Sequence, residues 1–495
     1  KNKTDFMRTT GRGLGSAELP YISSAGKFEA NAYSWGYNLM SYLGRAEYNY
    51  DNTYFLAASY RRDGSSKLGP KNRWGDFWSV SGAYSLKNLP AFKENDAINT
   101  LRLKASYGIN GTLPSDNFGW RRLVSFNNFN YKGQPGGNLV SNPDPDITWE
   151  TSYTTNAGLE FGFLKNRITG SVEYFNRTSK NLLQDVPTSQ TTGFSTVLRN
   201  VGQINNKGLE IELAGDIIKK EDFRWSANVN AAFITSKVQK LNDKQDIIWY
   251  DPTGSVGNDT KGSGDARAQF IYREGQSTLA FYGYEWAGVD QKNGKNVYYT
   301  NNNQTGTDIF DYNGRNATYD FNKADYTIIG NGVPKVSGGL NTDFEYKNFN
   351  LGFNFIYKIG GKLYDGAFKD VADDGYYWER IRSEYAFEHM WTDNNTGGTL
   401  PKLDGNDLTD PQKYSSRQLH DASFLRLKNI NFGYRLPKNF LNKVGFSNAR
   451  VYFNGTNLLT ASKYKIADPE VGQYSTRGWE TPIGKTYTFG IELGF

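Results

Sequence analysis

The chain has no cysteine among its 495 residues and only two histidines, His389 and His420. The missing thiols exclude disulfides and thiolate metal centres. Two imidazoles are too few for a His-built metal cluster or a credible Ser/His/Asp arrangement. No window approaches the run of about 18 apolar residues that a transmembrane helix needs, and the mean hydropathy is −0.67. Charge of one sign is scarce too: 57 Lys and Arg against 51 Asp and Glu leave +6, with the cations scattered, which speaks against a nucleic-acid partner. The first residue is Lys1, with no charged-then-apolar leader behind it. The expectation is a chain cleaved after export, or the C-terminal part of something longer. None of these absences weighs against a β-barrel, in which only alternate residues of each strand need be apolar.

Aromatic residues and glycine are abundant, with 34 Tyr, 31 Phe, 11 Trp and 53 Gly. At the end of the chain Tyr487, Phe489, Ile491, Leu493 and Phe495 alternate with Thr488, Gly490, Glu492 and Gly494, the period of a strand with unlike faces. The same alternation recurs over 41–50, 54–62, 77–86, 101–110, 149–163, 167–176, 208–217, 223–234, 335–346, 349–357, 424–436 and 449–458. The connections 51–53, 164–166, 218–222 and 347–348 are short. Those at 111–148, 177–207, 235–334, 358–423 and 459–484 are long and rich in Gly, Asn, Asp and aromatics. Short turns on one side and long loops on the other are what outer-membrane barrels show, whereas a soluble sandwich keeps turns short at both ends. The predicted fold class is therefore all-β, a transmembrane antiparallel β-barrel with long extracellular loops. Counting back from a periplasmic C-terminus gives roughly thirteen spanning strands and puts 281–289 in an outer loop. An odd count that begins with an inward strand predicts that the opening strands lie elsewhere, with 1–39 the remainder of an external loop and 40–495 the C-terminal barrel portion. On this reading the strand ending at Phe495 is a lone edge.

Several longer motifs occur in order: Ser41-Tyr42-Leu43-Gly44-Arg45, Tyr60-Arg61-Arg62-Asp63-Gly64-Ser65-Ser66, Asn72-Arg73-Trp74-Gly75, Leu103-Lys104-Ala105-Ser106-Tyr107-Gly108 and Ile147-Thr148-Trp149-Glu150-Thr151. They continue with Asn200-Val201-Gly202-Gln203-Ile204-Asn205-Asn206-Lys207-Gly208, Ser423-Phe424-Leu425-Arg426-Leu427-Lys428-Asn429, Asn454-Gly455-Thr456-Asn457-Leu458-Leu459 and Asp468-Pro469-Glu470-Val471. In this order they resemble the C-terminal barrel of SusC/RagA-type TonB-dependent outer-membrane transporters, from about Ser41 to Phe495. The resemblance implies a barrel of about 22 strands, import of a glycan or oligopeptide, and no enzymatic activity or cofactor. It implies as partners a SusD-like surface lipoprotein that closes over the mouth, and TonB-ExbB-ExbD acting through an N-terminal plug-bearing part absent here. The barrel-assembly machinery, reading the terminal Phe495, and membrane lipid complete the set. Two alternatives stand beside it: a siderophore- or cobalamin-type receptor without a lid, and a non-transporting barrel that anchors a surface adhesion or assembly complex. The acidic Asp/Gly-rich run that many relatives carry before the strand at 335–346 reads Asn322–Gly332 here, with Asp325 its only acid.

On a barrel the lumen face carries Arg45, Glu47, Arg61, Arg102, Lys104, Glu150, Glu160, Glu173, Glu210, Glu212 and Arg224. These residues hold a plug, form a mutually paired wall, or guide a polar solute by charge-assisted hydrogen bonds. Candidate substrate platforms on the outer loops are Trp120, Trp249, Tyr250, Tyr376, Tyr377 and Trp378; the competing role for each is a packing anchor or a protein contact. Asp370, Asp373 and Asp374, and Asp404 with Asp407, lack the alternating spacing of a calcium loop. They are expected to be solvated charge, and no metal site is predicted.

Overall fold

The computed structural model describes residues 2–14, 18, 21–126, 130–250, 268–300, 306–372, 374–375, 381–404 and 414–494. Thirteen strands form one sheet in which neighbours follow chain order. They are β1 Leu39–Tyr50, β2 Tyr54–Ser65, β3 Trp74–Ser85, β4 Ile98–Thr112, β5 Glu150–Phe163, β6 Ile168–Pro187 and β7 Thr196–Lys219. The remainder are β8 Phe223–Lys240, β9 Val336–Tyr346, β10 Phe349–Ile359, β11 Phe424–Arg435, β12 Asn448–Ser462 and β13 Thr486–Gly494. Every alternating segment of the sequence is a strand of this sheet. Short connections close through left-handed backbone at Asp51 and Asn52 (φ 51° and 50°), at Leu164, Lys165 and Asn166, and at Lys347. Positive φ at both central positions matches the twist of the paired strands.

Two stretches expected as loop contain strand. β6 and β7 run for 20 and 24 residues and absorb much of 177–207. Within 1–39, Asn2–Leu14 and Ala25–Tyr37 pair antiparallel from Asn2↔Tyr37 to Leu14↔Ala25. The physical reason is the same in both. Where neither face must be apolar, the ladder continues without hydrophobic alternation, so the sequence signal vanishes while the hydrogen bonds remain. The segment 281–289 is not one strand: Ala280–Tyr284 and Trp286–Val289 belong to two different four-stranded loop sheets, in keeping with its predicted place in a long loop.

The chain divides into two compact units, one of Lys1–Tyr84, Ala105–Thr155 and Arg177–Gln203, the other of Ser85–Lys104, Asn156–Asn176 and Ile204–Phe495. In the first, register places Tyr48 opposite Leu56, Leu56 opposite Gly82, Ala58 opposite Val80 and Tyr60 opposite Trp78. Tyr48, Leu56, Tyr60, Trp78 and Val80 are all exposed. Tyr50, Tyr54 and Tyr84 stack at one end (ring centroids 6.3 and 4.8 Å apart), while Tyr42 stacks on Trp74 at the other. Between them lie Gly44, Ala46, Leu56, Ala58, Val80 and Gly82. The eight residues from Tyr50 back to Tyr42 span about 27 Å at ~3.4 Å per residue, close to the height of an apolar band between two aromatic girdles. Arg45, Glu47, Ser59, Arg61, Ser79 and Ser81 occupy the opposite face.

The second unit repeats the division. Trp225 pairs with Phe344, Val229 with Leu340, Leu340 with Phe355, Phe432 with Phe453 and Phe453 with Phe489. On the other face one row runs Asn228, Asn341, Asn354, Asn429, Thr456 across five strands. The Thr456 hydroxyl donates to Asn429 Oδ1 at 3.2 Å, and Asn354 donates to Asn341. An apolar sheet face this large is untenable in water.

Packed cores lie away from the faces. In the first unit Leu68, Phe77, Ile147 and Trp149 form one, with Ile109, Leu113, Leu183 and Leu198 against it. Gly75 and Gly111 leave room for the Phe77 ring, since a Cβ at either position would overlap it. Trp149 also donates Nε1–H to Arg73 O at 3.1 Å. Trp149→Ala is therefore expected to lower the unfolding free energy by ~3–5 kcal/mol, measured by denaturant titration of the detergent-folded protein. An unchanged midpoint would contradict this packing role.

Candidate functional site

The predicted wall charges all sit on the polar face or at its outer border, and most have an ion-pair or hydrogen-bond partner there. Arg45 Nε donates to Glu47 Oε1 at 2.6 Å and Arg61 Nε to Asp63 Oδ1 at 2.6 Å. Arg102 and Lys104 lie 3.6 and 3.7 Å from Glu160. Arg224 donates to Asp216 at 2.7 Å, and Asn228 to Glu212 at 3.2 Å. Glu150 stands apart: half-buried at the outer start of β5, it accepts the Leu183 N–H at 2.8 Å and ties β5 to the outward extension of β6. Glu173 and Glu210 have no ion pair among the described residues. Exposed pairs of this kind contribute little stability; their effect is a hydrated wall whose charges are internally balanced.

The motifs turn out to be anchors for the outer loops. Asn72 Nδ2 donates to Asp146 O at 2.8 Å. Asn200 receives the Thr148 N–H at 2.8 Å and donates to Thr148 O and Asn181 O at 3.1 and 2.7 Å. Arg426, with 2% of its side chain exposed, is held between Asp468 and Glu470 and donates Nε–H to Thr460 Oγ1 at 3.0 Å. Lys428 reaches the same Glu470 at 3.1 Å. The motif pair 423–429 and 468–471 thus clamps the last long connection onto β11. Removing one partner of such a buried pair strands a charge, so the clamp specifies position more than it adds stability.

Among the candidate platforms, Trp120 is half-buried, donates Nε1–H to Ser66 O at 3.3 Å and lies under the Arg121 guanidinium. Trp249 stacks on Phe270 at 4.4 Å and meets Tyr272 and Tyr474, so its ring is part of a loop core. Tyr250 is exposed and lies 6.0 Å from Tyr414. Tyr376, Tyr377, Trp378 and Phe495 fall outside the described residues, as do Asp373 and Asp407. What the sequence reading missed is a tyrosine cluster beside Tyr250. Tyr326 packs on Tyr284 at 4.3 Å and Tyr282 at 5.4 Å, and Tyr284 N–H bonds Tyr414 O at 2.8 Å. Burial, with the neighbouring Tyr284 and Tyr250, pushes the Tyr326 phenol well up, so it stays a neutral donor. The signal lay in the alternating Tyr282-Gly283-Tyr284, whose rings share one face of a short strand.

The expectation of solvated loop carboxylates is corrected for Asp370 and Asp374, both of which are buried. Asp374 pairs with the buried Arg417 and accepts Asn296 Nδ2–H at 3.0 Å. Arg417 also donates to Ala372 O at 2.8 Å. A carboxylate is buried here because a guanidinium answers it, a pairing across 43 residues of loop that spacing cannot reveal. Among the described residues no group of three or more His, Cys, Asp or Glu could hold a metal ion. His389 stacks on Tyr385 at 4.1 Å. His420 sits between Phe368 and Tyr464, with ring centroids 4.9 and 5.0 Å away. Beside it Asp365 holds Arg477 at 3.0 Å and accepts the Ala367 and Phe368 N–H groups.

Residues 3–327 match the family described as "TonB dependent receptor-like, beta-barrel". TonB-dependent receptor P3 of Formosa agariphila is 30% identical over 480 residues, covering 92% of this chain and 45% of that protein. TonB-dependent receptor SusC of Bacteroides thetaiotaomicron is 29% identical over 484 residues, covering 94% and 45%. A chain of the RagAB peptide transporter structure superposes with a TM-score of 0.82 at 28% identity, covering all of this chain and 52% of that one. The chain spans about half the length of the relatives it matches.

Burial holds the His420 imidazole neutral, lowering it from its usual 6.5 to about 4. The unfolded chain therefore binds the extra proton between about pH 6.5 and 4, and stability falls as pH drops through that window. Limited proteolysis of the loops should accelerate from pH 6.5 to 4, and His420→Phe should flatten that dependence. An equally steep profile in the variant would assign the acid sensitivity elsewhere.

Proposed function

The chain belongs to the TonB dependent receptor-like β-barrel family, and on that premise we propose that it forms the wall and outer loops of an outer-membrane importer for a glycan or oligopeptide. The observation that carries this reading is the two-faced thirteen-stranded sheet. One face is apolar, exposed and bordered by aromatic rows; the other is a field of asparagines, serines and paired charges. The first suits lipid and the second a hydrated passage, and a closed sheet leaves no backbone group unpaired in hydrocarbon. Similarity to SusC and to a RagAB chain supports nutrient uptake as the task.

We assign the parts as follows. A SusD-like lipoprotein caps the outer loops, and TonB with ExbB-ExbD supplies energy through plug-bearing sequence outside this chain. Arg45, Glu47, Arg61, Arg102, Lys104, Glu160, Glu212 and Arg224 form the balanced wall. Glu173 and Glu210 are left to meet a plug or solute, and Glu150 ties β5 to β6. Capture falls to the tyrosine cluster, where flat rings with phenol donors suit sugar faces and peptide groups alike. Trp249 supports the loop core behind it, and Trp120 anchors its own outer loop. Phe495 serves as the assembly signal.

Cells lacking the intact gene product should lose uptake of one class of labelled oligopeptide or glycan, and a lipoprotein should co-purify with the barrel from native membranes. Tyr250→Ala combined with Tyr326→Ala should weaken that uptake by about tenfold or more in affinity, at unchanged protein level. Unimpaired uptake in the null strain would overturn the transport reading; unimpaired affinity in the double variant would move the capture site elsewhere.

A further inference from the structure

A groove of about 880 Å³ opens beside the middle of β6 and β7 and the outer part of β8, against the segments around 275–277 and 328–335. Its floor continues the apolar face. Tyr174 and Phe233 are exposed members of that face, and Leu209 alternates in phase with Ile211 and Leu213 on β7. Ile328 and Val333 add apolar wall from the loop side. Three cations line the same groove: Lys207, one step of the alternation beyond Leu209; Lys237, two steps beyond Phe233; and Lys335, just before β9. No carboxylate is among the lining residues, and none of the three lysines makes an ion pair among the described residues. Of the acids next to lining residues in sequence, Glu173 and Glu210 alternate onto the opposite, polar face of the sheet, and Glu274 accepts the Leu241 N–H at 3.0 Å.

Position gives this charge its meaning. From Phe233 to Lys237 the strand rises about 13 Å, which carries the ammonium from the end of the apolar band to the level of lipid headgroups. A lysine stem there lies along apolar surface while its charged head meets the interface. Three such cations with no compensating acid favour an anion, and the apolar floor beneath them favours an anion with a hydrocarbon tail. We propose that this groove is a binding site for a phosphate-bearing lipid of the outer leaflet, with Lys207, Lys237 and Lys335 on the phosphate and Tyr174, Leu209 and Phe233 against the acyl chain. The proposal rests on the reading that the apolar face meets lipid. The bound lipid would fill the space under the loop segment 328–335 and brace it against the wall.

The test is native mass spectrometry of the intact transporter purified from outer membranes in mild detergent. Wild type should retain a phosphate-bearing lipid. The triple variant Lys207→Gln, Lys237→Gln, Lys335→Gln should bind it about a hundredfold more weakly, from roughly a fivefold loss per lysine. The triple Lys→Arg variant should retain it, which keeps the charge and separates its loss from any folding defect. Heat-modifiable gel migration checks that each variant is folded. Equal retention by wild type and the Gln variant, a retained lipid without phosphate, or full displacement by inorganic phosphate alone would each overturn the proposal. Those results leave the barrel in the outer membrane. A protein absent from outer-membrane fractions would instead overturn the underlying membrane reading.

Discussion

In hydrocarbon a backbone N–H or C=O without a protein partner is penalised by several kcal/mol, and no water is present to relieve it. Everything in the sheet answers to that constraint. Each strand of the thirteen is hydrogen-bonded to its neighbour in chain order. Left-handed residues at Asp51, Asn52, Leu164–Asn166 and Lys347 keep adjacent strands in antiparallel register over very short connections. With backbone pairing fixed, side chains are free to serve two solvents at once. Odd and even positions of β1, β2 and β3 read as two different proteins, one of tyrosine, leucine and valine, the other of arginine, glutamate and serine.

The loops obey a different rule. They stand outside the apolar band, so they fold as small globular pieces with their own cores, such as Phe270, Phe281 and Tyr364 or Phe368, Ala386 and Leu400. Buried charge sets their positions. Arg426 with Asp468 and Glu470, Arg417 with Asp374, and Asp365 with Arg477 each join residues more than forty positions apart. Such pairs have poor energetic alternatives once dehydrated, which makes them devices for a defined geometry. The capture role proposed for this surface needs that definition more than it needs stability.

The wall was legible in the sequence because lipid imposes period-2 alternation, and every segment that showed it is a strand. The outward extensions of β6 and β7 and the hairpin Asn2–Leu14 with Ala25–Tyr37 were not, because water on both faces removes the alternation. The motifs from Asn72 to Val471 were visible as residues, whereas their work as loop clamps was not: Asn200 meets Thr148 and Arg426 meets Asp468 only through the fold. The tyrosine cluster was half legible. Tyr250 stood out as an exposed aromatic, but Tyr284 and Tyr326 come to it from separate strands of a loop sheet.

Which face of the sheet meets lipid can be measured directly, because the chain's lack of cysteine leaves each introduced thiol alone in it. Single substitutions Trp78→Cys, Ser79→Cys, Val80→Cys, Ser81→Cys and Gly82→Cys along β3 can each carry one fluorophore in the membrane-embedded protein. A lipid-dissolved quencher should then quench positions 78, 80 and 82 strongly and positions 79 and 81 weakly, with a water-soluble quencher showing the opposite alternation. Quenching that is uniform along β3, or strongest at 79 and 81, would contradict the assignment of the apolar face to the membrane and with it the account of how this chain works.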